Sequence, residues 1–487
     1  MSPLLIFSCV LLYSAVLFGI TLITSKGADN ESFYVGNKSS PWYVIAYGMI
    51  GASLSGVTFM SVPGWVGTTQ FSYLQLVLGY WVGYTIIATV LLPLYYRLNL
   101  TSIYAYLNQR FGFWSYKTGA FFFLLSRTIG ASFRLFLVAN VLQIFIFDGW
   151  NIPFFITVSS FIILVLLFTF KGGIKTIIWT DTLQTTFMLL AVIISVVSIS
   201  KQMDISLGKI FSAVWESEYS KVFFTDWHDK KFFAKQFLSG VFISIVMTGL
   251  DQEMMQKNLS CRNIKEAQKN MFSFSFVLIF VNILFLSLGA ILYLYASAKG
   301  ITLPSKTDDL FPVIALKYLG PVTGIVFIIG LISAAYPSAD GALTSLTTSF
   351  CVDFLGLKDD AKKTEGEKTK IRYKVHLCFA LLLLIVIVIF RAINNEAVIS
   401  KLFTVAGYTY GPLLGLYSFG LFTKWEVKDN FVPLICILSP VICFLLSQYS
   451  ELLLGGYKFG FELLILNGGL TFAGLWFLRE KNYSSHG

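Results

Sequence analysis

The sequence has few charged residues for its length, and this shortage excludes a soluble globular protein. Only 13% of the 487 residues are Asp, Glu, Lys or Arg, whereas 56% are hydrophobic and 17% are aromatic. Apolar runs of about 20 residues, the length of helix that crosses a hydrocarbon core, recur along the whole chain. Such runs also exclude a barrel of short alternating strands. The sequence therefore predicts an all-α polytopic membrane protein.

Cysteine and histidine are scarce as well. The six cysteines form no CxxC pair and there are only three histidines, so neither a disulfide framework nor a Cys/His metal site is indicated. A membrane enzyme would need a nucleophile with its base, or a metal cluster, and no such set stands out. A sensor would need a signalling module, but only nine residues follow the last predicted helix. Neither an enzyme nor a sensor is expected.

The apolar runs end at charges, prolines and polar turns, and these boundaries predict thirteen membrane helices. The predicted helices cover residues 3–24, 42–65, 72–95, 116–147, 152–170, 176–200, 236–253, 270–297, 320–353, 374–391, 398–422, 431–448 and 460–478.

Basic residues concentrate in alternate loops, which predicts the orientation of the chain. The loops predicted to be cytoplasmic include the segment after the seventh helix, with Lys257, Arg262, Lys265 and Lys269, and the charged segment 357–374, which we expect to be flexible. The N-terminus is then outside the cell and the C-terminus in the cytoplasm. Because these loops account for the net charge of +10, no nucleic-acid partner is expected.

Five charged residues fall deep inside predicted spans, where each costs about 2.5–3.5 kcal/mol. They are Arg127, Arg134, Asp181, Asp251 and Asp340. Arg127 and Arg134 are seven residues apart and share one helix face. We expect Arg127 to pair with a buried acid, whereas the deeper Arg134 suits either such a partner or the carboxylate of a substrate.

Two predicted helices contain residues that allow a break. Helix 42–65 reads GMIGASLSGVTFMSVPG over residues 48–64, and helix 236–253 contains Gly240 and Gly249. A membrane helix unwinds only where its freed carbonyls line a cavity, and these carbonyls then coordinate cations. The alternative is close helix packing through small residues. Both helices together favour a transporter.

The stretch SAAYPSADGALTSL, residues 333–346, places small and hydroxyl-bearing residues on one side of a membrane helix. Pro337 lacks an N–H and clashes with the preceding turn, so we expect a helix break around Pro337 and Gly341. Hydroxyl, carbonyl and carboxylate oxygens suit a hard cation such as Na⁺.

Five motifs in this order resemble the sodium:solute symporter family, and they resemble its sialic acid and organic-anion branches more than its sugar carriers. They are SGVTFMSVPG, GGIKTIIWTDTLQ, GLDQEMMQKNLSCRN, AAYPSADGALTSLTTSFCVDF and YGPLLGLYSFGLF. The resemblance implies a LeuT-type fold in one domain, 1–487, with an inverted-repeat core at 42–422 (repeats 42–200 and 236–422), one helix before it (3–24) and two after it (431–478). It also implies Na⁺ as the coupling ion and no organic cofactor.

The resemblance also implies cation ligands. The main sodium site would use the carbonyls of Gly51, Leu54 and Ala334 and the hydroxyl of Ser338. In this chain Pro337 stands where the family usually has a second hydroxyl. A second cation site would combine Asp181 with Asp340 and Ser338, but Asp340 and Gly341 stand where the family has hydroxyls.

The resemblance places the solute beside these ions, and the expected function is sodium-coupled import of a small carboxylated solute such as a sialic acid. Candidate substrate residues are Ser53, Ser55, Thr58, Phe71, Gln75, Arg134 and Phe242. A sodium/neutral sugar symporter and a proton-coupled carrier that uses Asp340 or Asp181 remain alternatives. The protein is expected to act as a monomer in the lipid bilayer of the cell inner (plasma) membrane.

Overall fold

Helices form nearly all the regular structure in the computed structural model, which describes residues 3–24, 40–358, 360–393 and 397–480, without the side chains of 168–176. The helices of the first half are α1 (Pro3–Thr24), α2 (Trp42–Ser53), α3 (Gly56–Thr69), α4 (Tyr73–Ile86), α5 (Leu92–Arg97), α6 (Ala105–Arg110), α7 (Phe113–Leu142), α8 (Phe154–Gln202) and α9 (Leu207–Glu216).

The second half continues this pattern and adds one small sheet. Its helices are α10 (Phe233–Ser244), α11 (Gln252–Leu259), α12 (Ile264–Ala298), α13 (Leu310–Lys317), α14 (Pro321–Ser349), α15 (Glu365–Ile393), α16 (Val398–Thr409), α17 (Gly411–Phe422), α18 (Val432–Gln448), α19 (Ser450–Leu453) and α20 (Leu463–Phe477). Strands β1 (Glu426–Val427) and β2 (Arg479–Glu480) pair antiparallel. In the described residues, eight helices are long and apolar enough to cross a membrane, or nine with one bent pair. Each of the thirteen predicted segments is largely helical, but the number of crossings stays a prediction.

Helix α15 begins nine residues earlier than predicted, so the second half of segment 357–374 is helical and not a loop. A capping box explains the early start, since Thr364 Oγ1 accepts from Glu367 N–H at 3.3 Å and Glu367 Oε2 accepts from Thr364 N–H at 2.8 Å. Residue 359 of this segment lies outside the described residues.

Helix α8 covers two predicted spans, 152–170 and 176–200, and aromatic contacts show that the chain folds back between them. Phe161 stacks on Tyr336 at 5.4 Å, Tyr336 lies 6.5 Å from Tyr13, and Tyr13 lies 5.6 Å from Phe187. A straight helix between Phe161 and Phe187 would be about 39 Å long. Phe161 and Phe187 therefore contact the two members of one tyrosine pair, Tyr336 and Tyr13, which a straight helix could not allow.

The predicted break in the first core helix is confirmed between α2 and α3. Leu54 has φ −86° and ψ 68°, and Ser55 has φ −69° and ψ −178°, so both residues leave the helical region. The last hydrogen bond of α2 joins Leu54 N–H to Ile50, and the first of α3 joins Phe59 N–H to Ser55. The carbonyls of residues 51–54 therefore lack a helical N–H partner.

The second predicted break is also confirmed. Helix α10 passes through a π-helical turn, Ile245–Gly249, and then bends by 65° into α11. Asp251 caps α11 by accepting from Glu253 N–H at 3.0 Å and Met254 N–H at 3.3 Å. This cap satisfies N–H groups that the break would otherwise leave unpaired inside the protein.

The predicted break at Pro337 and Gly341 is wrong, because α14 runs without interruption from Pro321 to Ser349. Side chains of α1 hold the turn of this helix just before Pro337: Ser333 Oγ donates to the Tyr13 hydroxyl at 2.7 Å, and the Tyr336 and Ser14 hydroxyls lie 2.6 Å apart. Pro337 still leaves the Ser333 carbonyl without its helical partner. Neighbouring helices thus stabilise a continuous helix.

Gly240 does not interrupt α10 but allows it to pack closely on α4. A Cβ atom on Gly240 would overlap the carbonyl oxygen of Leu76, and one on Gly83 of α4 would overlap the hydroxyl of Ser244. Gly240 therefore serves close helix packing, as the alternative interpretation predicts, whereas the break in this segment comes after Gly249.

We expect Gly240→Ala to lower the free energy of unfolding by about 1–3 kcal/mol, because the new methyl group forces α4 and α10 apart. The midpoint of thermal unfolding of the purified protein measures this loss. Gly19→Ala is the control, since nothing lies within 4 Å of a Cβ at this position in α1. Equal midpoints for both variants would contradict the close packing.

Candidate functional site

A cavity lies where the first core helix is broken. It has a volume of about 70 Å³, which holds only a few water molecules. Residues that line it come from the break and from α4, α7, α10, α12 and α16, and they include Ser53, Ser55, Thr58, Tyr73, Tyr80, Tyr84, Arg127, Arg134, Ser244, Thr248, Asn282 and Phe403. Aromatic rings, hydroxyls and two guanidinium groups therefore meet in one pocket.

Four of the predicted substrate residues line this cavity, namely Ser53, Ser55, Thr58 and Arg134. Phe242 does not: its neighbours Ile243 and Ser244 do, because each step along a helix rotates the side chain by about 100°. The sequence located this helix correctly but did not fix its rotation.

Phe71 and Gln75 also lie outside the cavity, where they hold the segment between α9 and α10. Gln75 Nε2 donates to the Lys231 carbonyl at 2.9 Å, and Phe71 N–H donates to the Lys221 carbonyl at 3.1 Å. Both side chains are buried. Their positions indicate a structural role.

The predicted main sodium ligands come from α14 and the first helix break, which are in contact. The Gly51 and Leu54 carbonyls lack helical partners, and the buried Ser338 Oγ has no hydrogen-bond partner among the described residues. Ala334 lies one turn before Ser338 in the continuous helix α14. Free carbonyls and an unpaired hydroxyl on two elements in contact suit Na⁺, so these residue types fit the predicted ion.

A cluster of buried charges lies between α7, α8, α11 and α14. Lys257 Nζ lies 2.7 Å from Asp181 Oδ2 and 3.4 Å from Glu253 Oε1, and the Lys257 and Asp181 side chains are each 1% exposed. The prediction that Lys257 lies in a cytoplasmic loop is wrong, because Lys257 belongs to α11 and its side chain is buried in the protein.

Arg127 forms the other half of this charged cluster. Its guanidinium is ion-paired with Glu253 and lies 3.9 Å from Asp251 Oδ2. The Tyr410 hydroxyl donates to the same Asp251 oxygen at 2.9 Å. The expectation that Arg127 pairs with buried acids is therefore confirmed in the structure.

Asp340 on α14 adds a carboxylate to this charged cluster, and the next residue, Gly341, leaves space for Glu253. Asp340 is fully buried; its Oδ1 accepts from Gly341 N–H at 2.6 Å, and its Oδ2 has no hydrogen-bond partner among the described residues. A Cβ on Gly341 would overlap the carboxylate of Glu253. Gly341 therefore leaves room for Glu253 and does not break the helix.

Sequence reasoning missed Glu253 and Lys257 because they follow the apolar part of the seventh predicted helix. The segment QEMMQKNL forms α11, and all eight of its residues are buried despite their polarity. A signal existed in the spacing of Glu253 and Lys257, which are four residues apart and can pair on a helix. Their partners on α7 and α8 could not be read from that spacing.

The two arginines of α7 differ in their partners. Arg134 forms no ion pair with any described acid, whereas Arg127 is ion-paired with Glu253. Both arginines reach the cavity, but only Arg127 is neutralised by the protein. Arg134 therefore presents a guanidinium without an ion-paired carboxylate, and such a group suits an anionic ligand.

Known proteins resemble this chain over most of its length. A family model described as "Sodium:solute symporter family" matches residues 33–426. The sodium/sialic acid symporter NanT of Aliivibrio fischeri is 25% identical over 82% of this chain and 78% of its own length. The symporter SiaT of Proteus mirabilis, also named for sodium and sialic acid, is 22% identical over 90% and 89%.

A solved structure agrees in fold. The substrate-bound outward-open state of a Na⁺-coupled sialic acid symporter matches with a TM-score of 0.82, 19% sequence identity and 96% coverage of both chains. The nucleobase-cation symporter MHP1 matches with a TM-score of 0.52 and 12% identity over 92% of both chains. These likenesses confirm the predicted LeuT-type fold.

We expect Arg127→Met to lower the free energy of unfolding by about 3–5 kcal/mol, because it leaves the buried Glu253 with only Lys257, which is already paired with Asp181. Arg134→Met, on the same helix face, should be neutral or stabilising, because it removes a buried unpaired charge. Thermal unfolding of both purified variants measures the difference. Equal losses of stability would show that Arg134 has a protein partner after all.

Proposed function

Because the chain belongs to the sodium:solute symporter family, we propose that this multi-pass plasma-membrane protein imports a carboxylated sugar of the sialic acid class together with Na⁺. We also propose that its N-terminus is outside the cell, because the basic residues of the predicted cytoplasmic loops, other than Lys257, favour this orientation. We propose further that the protein acts as a monomer.

The observation that carries the choice of solute is the unpaired guanidinium of Arg134 in the cavity. A forked guanidinium binds a carboxylate through two charge-assisted hydrogen bonds, each stronger than a bond between neutral groups. The hydroxyls of Ser53, Ser55 and Thr58, which line the same cavity, can bond sugar hydroxyls. The relatives named for sialic acid support the same class.

Sodium would act on the broken first helix. Its binding between Ser338 and the carbonyls of Gly51 and Leu54 would order the break, which also supplies the serines of the substrate cavity. Coupling requires that the substrate-ready state binds Na⁺ better than the empty state, and a tenfold preference corresponds to about 1.4 kcal/mol. The cavity is too small for a sugar acid, so solute entry requires the surrounding helices to separate.

We expect an inward sodium gradient to drive uptake of a labelled sialic acid into proteoliposomes. Ser338→Ala should raise the Na⁺ concentration for half-maximal uptake roughly tenfold, because it removes one ion ligand. Ser333→Ala is the control on the same helix, since its hydroxyl donates to Tyr13 instead. Wild-type uptake that is the same with and without the gradient would refute sodium coupling, and uptake driven by a pH gradient in sodium-free buffer would favour the proton-coupled alternative.

Arg134→Met should raise the KM for a sialic acid about 10- to 100-fold, because the carboxylate loses its ionic partner. Uptake of an uncharged sugar should change little, and Phe242→Ala, outside the cavity, should leave the KM unchanged. Competition uptake assays with acidic and neutral sugars measure both effects. A wild type that prefers the neutral sugar would instead support the sodium/neutral sugar alternative.

A further inference from the structure

We propose that the ammonium group of Lys257 permanently occupies the second cation site at Asp181, so that this transporter binds one exchangeable Na⁺ and not two. This inference rests on the proposed sodium-coupled function, and it concerns the number of Na⁺ ions that the protein binds in each transport cycle. It replaces the expectation that Asp181, Asp340 and Ser338 form a second sodium site.

The contacts of Lys257 are those of a cation held between two carboxylates. Its Nζ lies 2.7 Å from Asp181 Oδ2 on α8 and 3.4 Å from Glu253 Oε1 on α11, and its side chain is 1% exposed. At 2.7 Å the bond to Asp181 is a charge-assisted hydrogen bond of full strength. Oδ2 of Asp181 is therefore already bound to a positive charge, which leaves Oδ1 as the one oxygen of this carboxylate without a hydrogen-bond partner among the described residues.

The nearby glycine makes this arrangement possible. Glu253 reaches Lys257 only because Gly341 has no Cβ, since a Cβ there would overlap the Glu253 carboxylate. Gly341 stands at a position where the family resemblance implies a hydroxyl ligand. The glycine at position 341 thus lacks the expected hydroxyl ligand for sodium, and it also leaves room for the Glu253 carboxylate that binds Lys257.

The surrounding acids favour the ammonium, because in the described part of the chain the cluster holds four carboxylates and only two ion-paired cations, Lys257 and Arg127. Arg127 on α7 is paired with Glu253 and lies near Asp251, so Asp181 is left to Lys257. The carboxylate of Asp340 is close enough to interact electrostatically with both Asp181 and Lys257. A Na⁺ bound at Asp181 would face the ammonium at close range in a poorly screened interior.

A tethered cation has a direct consequence for transport. Lys257 cannot leave with the solute, so it neutralises Asp181 without drawing energy from the sodium gradient. Only the ion at Ser338 and the broken helix exchanges with the solution. The energy available for solute accumulation is then that of one Na⁺ per cycle.

The test counts the sodium ions that bind to purified full-length protein, by equilibrium binding of ²²Na⁺ in the absence of solute. We expect one ion for the wild type. Lys257→Gln should bind two, because it frees Asp181 and Glu253 for a second Na⁺. The double variant Asp181→Asn, Lys257→Gln should bind one, since it removes the carboxylate together with the ammonium.

The outcomes separate this inference from the proposed function. A wild type that binds no Na⁺ refutes sodium coupling itself. Two ions in the wild type, or one ion in folded Lys257→Gln, leave sodium coupling intact but overturn the role of Lys257. If Lys257→Gln fails to fold in high sodium while the double variant folds, Na⁺ does not substitute for the ammonium, and the inference is also overturned.

Discussion

The ion pairs of Lys257 and Arg127 with Asp181 and Glu253 tie together three helices that would otherwise each bury an isolated charge. An unpaired ion in the interior costs several kcal/mol, so the helices that supply these residues must remain in register. Helix α11 supplies Glu253 and Lys257, and it can do so only because the chain bends by 65° after α10. The break in this helix and the charged cluster are therefore one structural unit.

The broken first helix obeys a related constraint. Backbone carbonyls without partners are tolerated at membrane depth only where they face a cavity, an ion or other protein groups. The free carbonyls of residues 51–54 lie beside the cavity and in contact with α14, where Ser338 has an unpaired hydroxyl. The same unwound segment thus contributes to a candidate ion site and to the candidate substrate cavity, which would give sodium a physical route to influence solute binding.

Local sequence was sufficient for features that depend on residues close together in the chain. Apolar runs located the helices, and the glycines and serines before Pro63 indicated the first break. Four of the candidate substrate residues line the cavity, since Ser53, Ser55 and Thr58 belong to that break and Arg134 could not face lipid. Phe71, Gln75 and Phe242 lie outside the cavity, because helix rotation and contacts with the 221–231 segment depend on distant residues.

The sequence by itself determined a helical membrane protein, its family and the position of the first break, because apolar length, glycine and charge act locally. Only the tertiary structure decided that α14 stays continuous, since Tyr13 and Ser14 from α1 hold the turn that precedes Pro337. It also decided the partner of Asp181. The sequence predicts that Lys257 lies in a loop. Only the packing of α11 against α8 brings its ammonium group to the carboxylate of Asp181.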